Sequence, residues 1–200
     1  MTNLQIKELI EKLKDKSVTF DSGLTHEETL QIQDKFGFRF PPDLKHFLQT
    51  ALPTSEGFYD WRRSLKSEFV ADNIRIQLRW PLEGMLFDIE KSNFWVEDWG
   101  QKPTSTKEQF NVAENYFKTY PRLVPIYSHR YIPSEPNTND NPVFSVYQMD
   151  IIYYGYNLAT YLANEFSFSL SDNFEIIEEP KHEIEFWTWC VEINGKLLSD

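Results

Sequence analysis

The spacing of the apolar residues changes period near residue 121, and that change restricts the chain more than any other feature. Before it, apolar residues recur at helical spacing between recognisable caps and breakers. Residues 4–14 place Ile6, Leu9, Ile10 and Leu13 on one helical face. After a turn at 20–23, Thr25 with Glu28 three places on forms a capping-box pattern. The helix it opens carries Leu30 and Ile32 and stops near Gly37, a residue suited to a left-handed cap. Pro42 suits a first helical turn, where its missing N–H would be unbonded anyway, and Asp43 complements the helix dipole. A third helix over Pro42–Thr50 therefore turns Leu44, Phe47 and Leu48 inward, with Pro53 beyond it.

Ser67 caps a fourth helix over 68–78 with Val70, Ile74 and Leu78 inward, and Pro81 is expected to end it. Residues 83–94 read as a short helix or an irregular segment. A further helix over 106–120 aligns Phe110, Ala113, Phe117 and Tyr120 before Pro121. Past this point the runs become short, β-branched and aromatic: 123–127, 131–132, 143–149 and 151–154. The Pro- and Asn-rich stretch 133–142 reads as an exposed loop between strands. Helices return at 157–166 and 183–191. Helices first, strands next and helices last predict an α+β fold, a mainly antiparallel sheet with packed helices. No repeat and no Gly/Ser-rich linker divides the 200 residues, so one domain over 1–200 is expected.

The charge balance narrows the function classes. Twenty basic residues against 31 acidic ones leave a formal net charge of −11. A duplex or membrane binder normally carries a basic face, and here Lys and Arg are scattered. Direct nucleic-acid and membrane binding are therefore disfavoured. An acidic surface suits encounter with a basic protein, and equally suits plain solubility. Cys190 is the single cysteine, which excludes an internal disulfide and any Cys-rich metal site. The N-terminal residues open a charged amphipathic stretch and not a secretory signal, and no apolar run is long enough to span a bilayer. These features suggest a cytoplasmic protein.

Two clusters are candidate functional sites. Trp61, Arg62 and Arg63 lie in an aromatic and basic loop, residue types that dominate interface hot spots. Trp80, Trp95 and Trp99 could serve a binding patch or the core. His129, Arg130 and Tyr131 form the second cluster. With Asp150 they could be drawn as a hydrolase, with His129 as general base and Arg130 holding an anion. The alternative is that His129 and Arg130 bond backbone groups at a bend. His26, His46, His129 and His182 show no metal-ligand spacing, no Gly-rich phosphate loop is present, and Ser145 lacks a nucleophile-elbow context. Neither a metal nor a cofactor is expected. Cys190 on an apolar helix face reads as a small buried hydrophobe.

Three segments together resemble the Smi/Knr-type SUKH superfamily. The first is Leu24-Thr25-His26-Glu27-Glu28, followed by Phe36-Gly37-Phe38-Arg39-Phe40-Pro41-Pro42-Asp43-Leu44 and Phe47-Leu48. The second is Glu83-Gly84-Met85-Leu86-Phe87-Asp88 with Phe94-Trp95 and Trp99-Gly100. The third runs from Leu123-Val124-Pro125-Ile126-Tyr127 through His129-Arg130-Tyr131 and Asn141-Pro142-Val143-Phe144 to Asp150-Ile151-Ile152-Tyr153-Tyr154-Gly155. The resemblance covers most of residues 20–166. Gln31 and Gln33 depart from it, standing where acidic residues are common, at positions expected to face solvent. The resemblance implies an α+β fold and no catalytic residues. It implies a protein-binding role, in bacteria as an immunity protein neutralising a toxin domain and in fungi as a regulator of cell-wall synthesis. A basic nuclease toxin is the partner that the charge balance suits.

Overall fold

A computed structural model describes residues 1–197. Its described residues form eight α-helices and two antiparallel sheets, the α+β fold expected. Helices α1 (Asn3–Asp15), α2 (His26–Phe36) and α3 (Pro42–Thr50) open the chain. Thr2 and Thr25 both form capping boxes, and Gly37 ends α2 in the left-handed region at φ 68°. The expected turn at 20–23 is instead strand β1 (Phe20–Ser22), paired with β2 (Ala51–Pro53) directly after α3. Next come α4 (Trp61–Ser64), α5 (Glu68–Lys91) and α6 (Thr106–Phe117). Strands β3 (Leu123–Tyr127), β4 (Arg130–Pro133), β5 (Val143–Tyr147) and β6 (Asp150–Gly155) form a four-stranded meander. Helices α7 (Leu158–Glu165) and α8 (Trp187–Leu197) follow. The last helix begins later than expected because Phe186 has a positive φ of 65°, and the Ile184 N–H bonds the Thr188 hydroxyl instead. No helix among the described residues is long and apolar enough to cross a membrane.

The meander divides two buried clusters. Because side chains alternate along a strand, Val124, Ile126, Ile132 and Val143 enter a core shared with α1, α2, α3 and α7. Their neighbours Leu123, Tyr131, Phe144, Val146 and Ile151 enter a second core with Trp99, Ala113 and α8. Helix α5 serves both. Its first half supplies Ala71, Ile74 and Leu78 to the first cluster, and its second half supplies Leu82, Met85, Leu86 and Ile89 to the second.

Pro81 therefore does not end a helix at 78; α5 continues through it for ten more residues. A proline removes the N–H that would bond the carbonyl four residues earlier. That carbonyl belongs to Gln77, and the buried Tyr131 hydroxyl donates to it at 3.0 Å. The Gln77 side-chain oxygen lies 3.3 Å from both the Tyr131 and the Tyr59 hydroxyls. Sheet and helix thus meet where the helix lacks its own bond. Tyr131→Phe is expected to lose about 1–3 kcal/mol of stability by orphaning that acceptor. The loss should shrink when Pro81→Ala restores the N–H, as read by urea unfolding of the four proteins.

The β5–β6 turn rests on α5 one turn further on. A Cβ at Gly84 would lie 2.7 Å from the Gln148 Cα, and the Asp88 carboxylate accepts from the Met149 N–H at 2.9 Å. Gly84→Ala is expected to destabilise by about 1–3 kcal/mol despite alanine's better helix propensity, because a backbone must move. Thermal unfolding would read this; a rise in Tm would contradict the close packing.

Two further expectations are corrected. Gln33 does not face solvent: it is buried, and its side-chain oxygen accepts from the Phe40 N–H at 3.0 Å. The 133–142 stretch is exposed only in its middle. Ser134 and Asn141 are buried, and Ser134 exchanges bonds with the Arg39 N–H and carbonyl at 3.0 and 2.7 Å.

Candidate functional site

The Trp61-Arg62-Arg63 cluster does not present three side chains to a partner. Asp60 caps the single turn of α4 by accepting from the Arg63 N–H, which turns Trp61 inward. Trp61 is 2% exposed and meets Phe36, Phe38 and Phe40 edge-on at ring separations of 5.9, 5.7 and 5.2 Å. Arg62 donates to both Glu28 oxygens, at 2.7 and 3.1 Å, and to the carbonyls of Ser22 and Gly23. It ties the segment after β1 to the start of α2. Arg63 alone is exposed.

The Arg62 hydrogen bonds hold the Glu28 carboxyl down at about 2, below its ordinary 4.5. A depressed carboxyl contributes stability that is complete above the unfolded value and disappears as pH falls through the folded one. The stability difference between the wild type and Arg62→Gln should therefore be largest above pH 4.5 and shrink toward pH 2. Urea unfolding across that range would check it; a pH-independent difference would exclude the ion pair as its source.

The second cluster is also committed to structure. Arg130 is 9% exposed and donates to Glu165 on α7 and to the Ser145 hydroxyl, both at 2.9 Å. Its guanidinium lies 3.8 Å from the centre of the Tyr154 ring. Tyr131 is fully buried and holds the Gln77 carbonyl of α5. His129 is partly exposed at the β3–β4 turn, where its Nδ1 lies 3.2 Å from the Ser128 hydroxyl. Burial, aided by the Arg130 charge, lowers its basicity. Asp150 pairs with Tyr147 beside the other hairpin turn, and no hydrogen bond joins its side chain to His129 or Arg130. The residues of the hydrolase scheme are not assembled into one hydrogen-bonded set.

The other reactive groups are similarly placed. Cys190 is buried, and burial pushes its thiol well above the usual range. His46 contacts Asn3 and His182 contacts the Asn139 carbonyl. Among the described residues, no three His, Cys, Asp or Glu side chains are grouped to hold a metal ion. A cleft of about 520 Å³ beside α5 is lined by Lys35, Arg75, Arg79, Lys118 and Arg122. Three of these already face carboxylates: Lys35 pairs with Glu68, Arg75 with Glu68 and Asp72, and Arg79 with Glu83 and Glu114.

The feature that stands apart is the outer face of α5. Phe69, Ile76, Trp80 and Phe87 are 76%, 57%, 39% and 46% exposed, four of the ten large exposed hydrophobics among the described residues. At 3.6 residues per turn these positions fall within a wedge of roughly 40°, spread over about 27 Å of helix. Asp72, Glu83 and Glu90 flank the stripe on one side. Where Phe110 of α6 and the β5–β6 turn approach it, the stripe opens into a cleft of about 400 Å³, lined by Trp80, Glu83, Phe87 and Glu90. Of the tryptophans open to either role, Trp99 is buried and Trp95 is partly buried against it, so Trp80 is the exposed one. The spacing of 7, 4 and 7 residues was visible in the sequence, but only a helix uninterrupted at Pro81 brings the four onto one line.

Fold and geometry define an α+β protein with an exposed, largely aromatic ridge along α5. No family model matches the chain, and neither a curated protein nor a solved structure matches it.

Proposed function

We propose that this chain is a non-enzymatic, cytoplasmic protein-binding module of the Smi/Knr type, acting as an immunity protein against a basic toxin domain such as a nuclease. The observation that carries the reading is the α5 ridge: four exposed hydrophobics aligned on one helix of a chain with net charge −11. Large aligned apolar surface exposed on a folded protein is a signature of a contact site. An acidic surface speeds encounter with a basic partner and penalises acidic ones. The three sequence segments supply the immunity role by resemblance. The bonded state of Arg130, Tyr131 and Arg62 argues against assigning those side chains to catalysis.

The test is direct. A basic toxin domain from a neighbouring reading frame should bind the purified chain in a stoichiometric complex, and cells expressing both should survive the toxin. No complex and no protection would overturn the reading. Capture of endogenous cell-wall enzymes in place of a toxin would replace it with the regulatory role.

A further inference from the structure

The cleft between α5, α6 and the β5–β6 turn is lined by aromatic and acidic side chains. Trp80, Phe87 and Phe110 supply aromatic lining, and Glu83 and Glu90, both solvent-exposed, supply carboxylates. Both carboxylates already have partners, Arg79 and Lys91, but these pairs are solvent-exposed. Exposed pairs contribute little and exchange readily for an incoming cation. The back wall is firm, since the β5–β6 turn is seated on Gly84 and bonded to Asp88. A guanidinium satisfies such a site better than an ammonium does. It is planar, it stacks on aromatic faces, and it bonds carboxylates through paired N–H groups. Beyond the cleft the ridge continues through Ile76 to Phe69, so the face an occupant lays along it must be apolar. Two copies of this chain would bring −11 against −11 and repel, which argues against self-association along this face.

We propose that this cleft is the anchor site for an arginine side chain on a basic, amphipathic helix of the partner, whose apolar face lies along Phe69, Ile76 and Trp80. The proposal rests on the reading of the chain as a protein-binding module and names the chemistry of that contact. The partner helix supplies the arginine to Glu83 and Glu90 and the apolar residues to the ridge, so the charge selects and the ridge holds.

The probe is a synthetic amphipathic helical peptide of Leu, Ala and Arg, compared with the same peptide carrying citrulline, the uncharged analogue of arginine. Titration calorimetry on the full chain is expected to show the arginine peptide binding at least about fivefold tighter than the citrulline peptide. The double variant Glu83→Gln/Glu90→Gln should erase that difference. Trp80→Ser/Phe87→Ser should weaken both peptides about tenfold or more, whereas Leu4→Ser, at an exposed residue elsewhere, should change neither. All the altered side chains are on the surface, and circular dichroism would verify folding. Equal affinity for the two peptides, undiminished binding by Trp80→Ser/Phe87→Ser, or no binding at millimolar peptide would overturn the proposal. So would a wild-type dimer that this double variant converts to monomer. The toxin-protection assay separates the two levels. If the wild type and Trp80→Ser/Phe87→Ser protect equally, the cleft assignment fails and the module reading stands. If the wild type gives no protection but discriminates the peptides, the immunity reading fails and the cleft stands.

Discussion

Trp61→Ala is expected to lose about 3–5 kcal/mol of folding stability. The indole is 2% exposed and lies at the centre of Phe36, Phe38 and Phe40, each meeting it edge-on. Those three rings come from the end of α2 and the segment that leads into α3. Removing the indole would leave a void bordered by rings anchored on different segments, which limits how far they can close. Arg63→Ala, two residues along and exposed, should stay within about 0.5 kcal/mol of the wild type. Urea unfolding of the two variants would read the contrast. A Trp61→Ala protein as stable as Arg63→Ala would mean that the indole is not part of the core.

The second large effect concerns Arg130 and Glu165, whose side chains are only 10% and 16% exposed. Arg130→Leu should cost about 3–5 kcal/mol, because it leaves the Glu165 carboxylate largely buried without its cation. Glu165→Leu should cost a similar amount for the converse reason. The double variant, with both charges replaced by apolar groups, should recover much of the loss, since a buried pair seldom outperforms a good hydrophobic contact. Part will not be recovered, because Arg130 also bonds Ser145 and stacks on Tyr154. Additive losses in the double variant would contradict the pairing. The same unfolding experiment decides the matter.

What could be read from sequence followed the range over which each signal acts. Helices α1, α2 and α3 were legible because their caps and stops lie within a few residues of the elements they bound, as Thr25, Glu28 and Gly37 do. The meander strands were legible from their β-branched and aromatic runs. Strands β1 and β2 were not: each has three residues, and they meet across the whole of α2 and α3. Pro81 misled because its helix-breaking tendency is local, whereas its remedy, the Tyr131 hydroxyl, arrives from a strand 50 positions later. Gln33 misled for the same reason, its partner being a backbone N–H beyond the helix end. The candidate site suffered from both limits. Residue types in 61–63 and 129–131 suggested recognition, but the bonds that absorb Trp61, Arg130 and Tyr131 come from distant elements. The α5 ridge needed only spacing to be seen, and a misplaced helix end hid it.

Helix α5 is a girder common to both halves of the molecule. Its two ends are embedded in different cores, and its midpoint is pinned to the sheet through Gln77. Such a member cannot fray at one end without loosening the other half, so the halves should melt as one cooperative unit. Anything that grips its outer face would brace the entire chain and not a local patch. Saturation at a hundredfold excess over Kd would add about 2.7 kcal/mol to global stability. The melting temperature of the whole protein would then report occupancy of that one outer face.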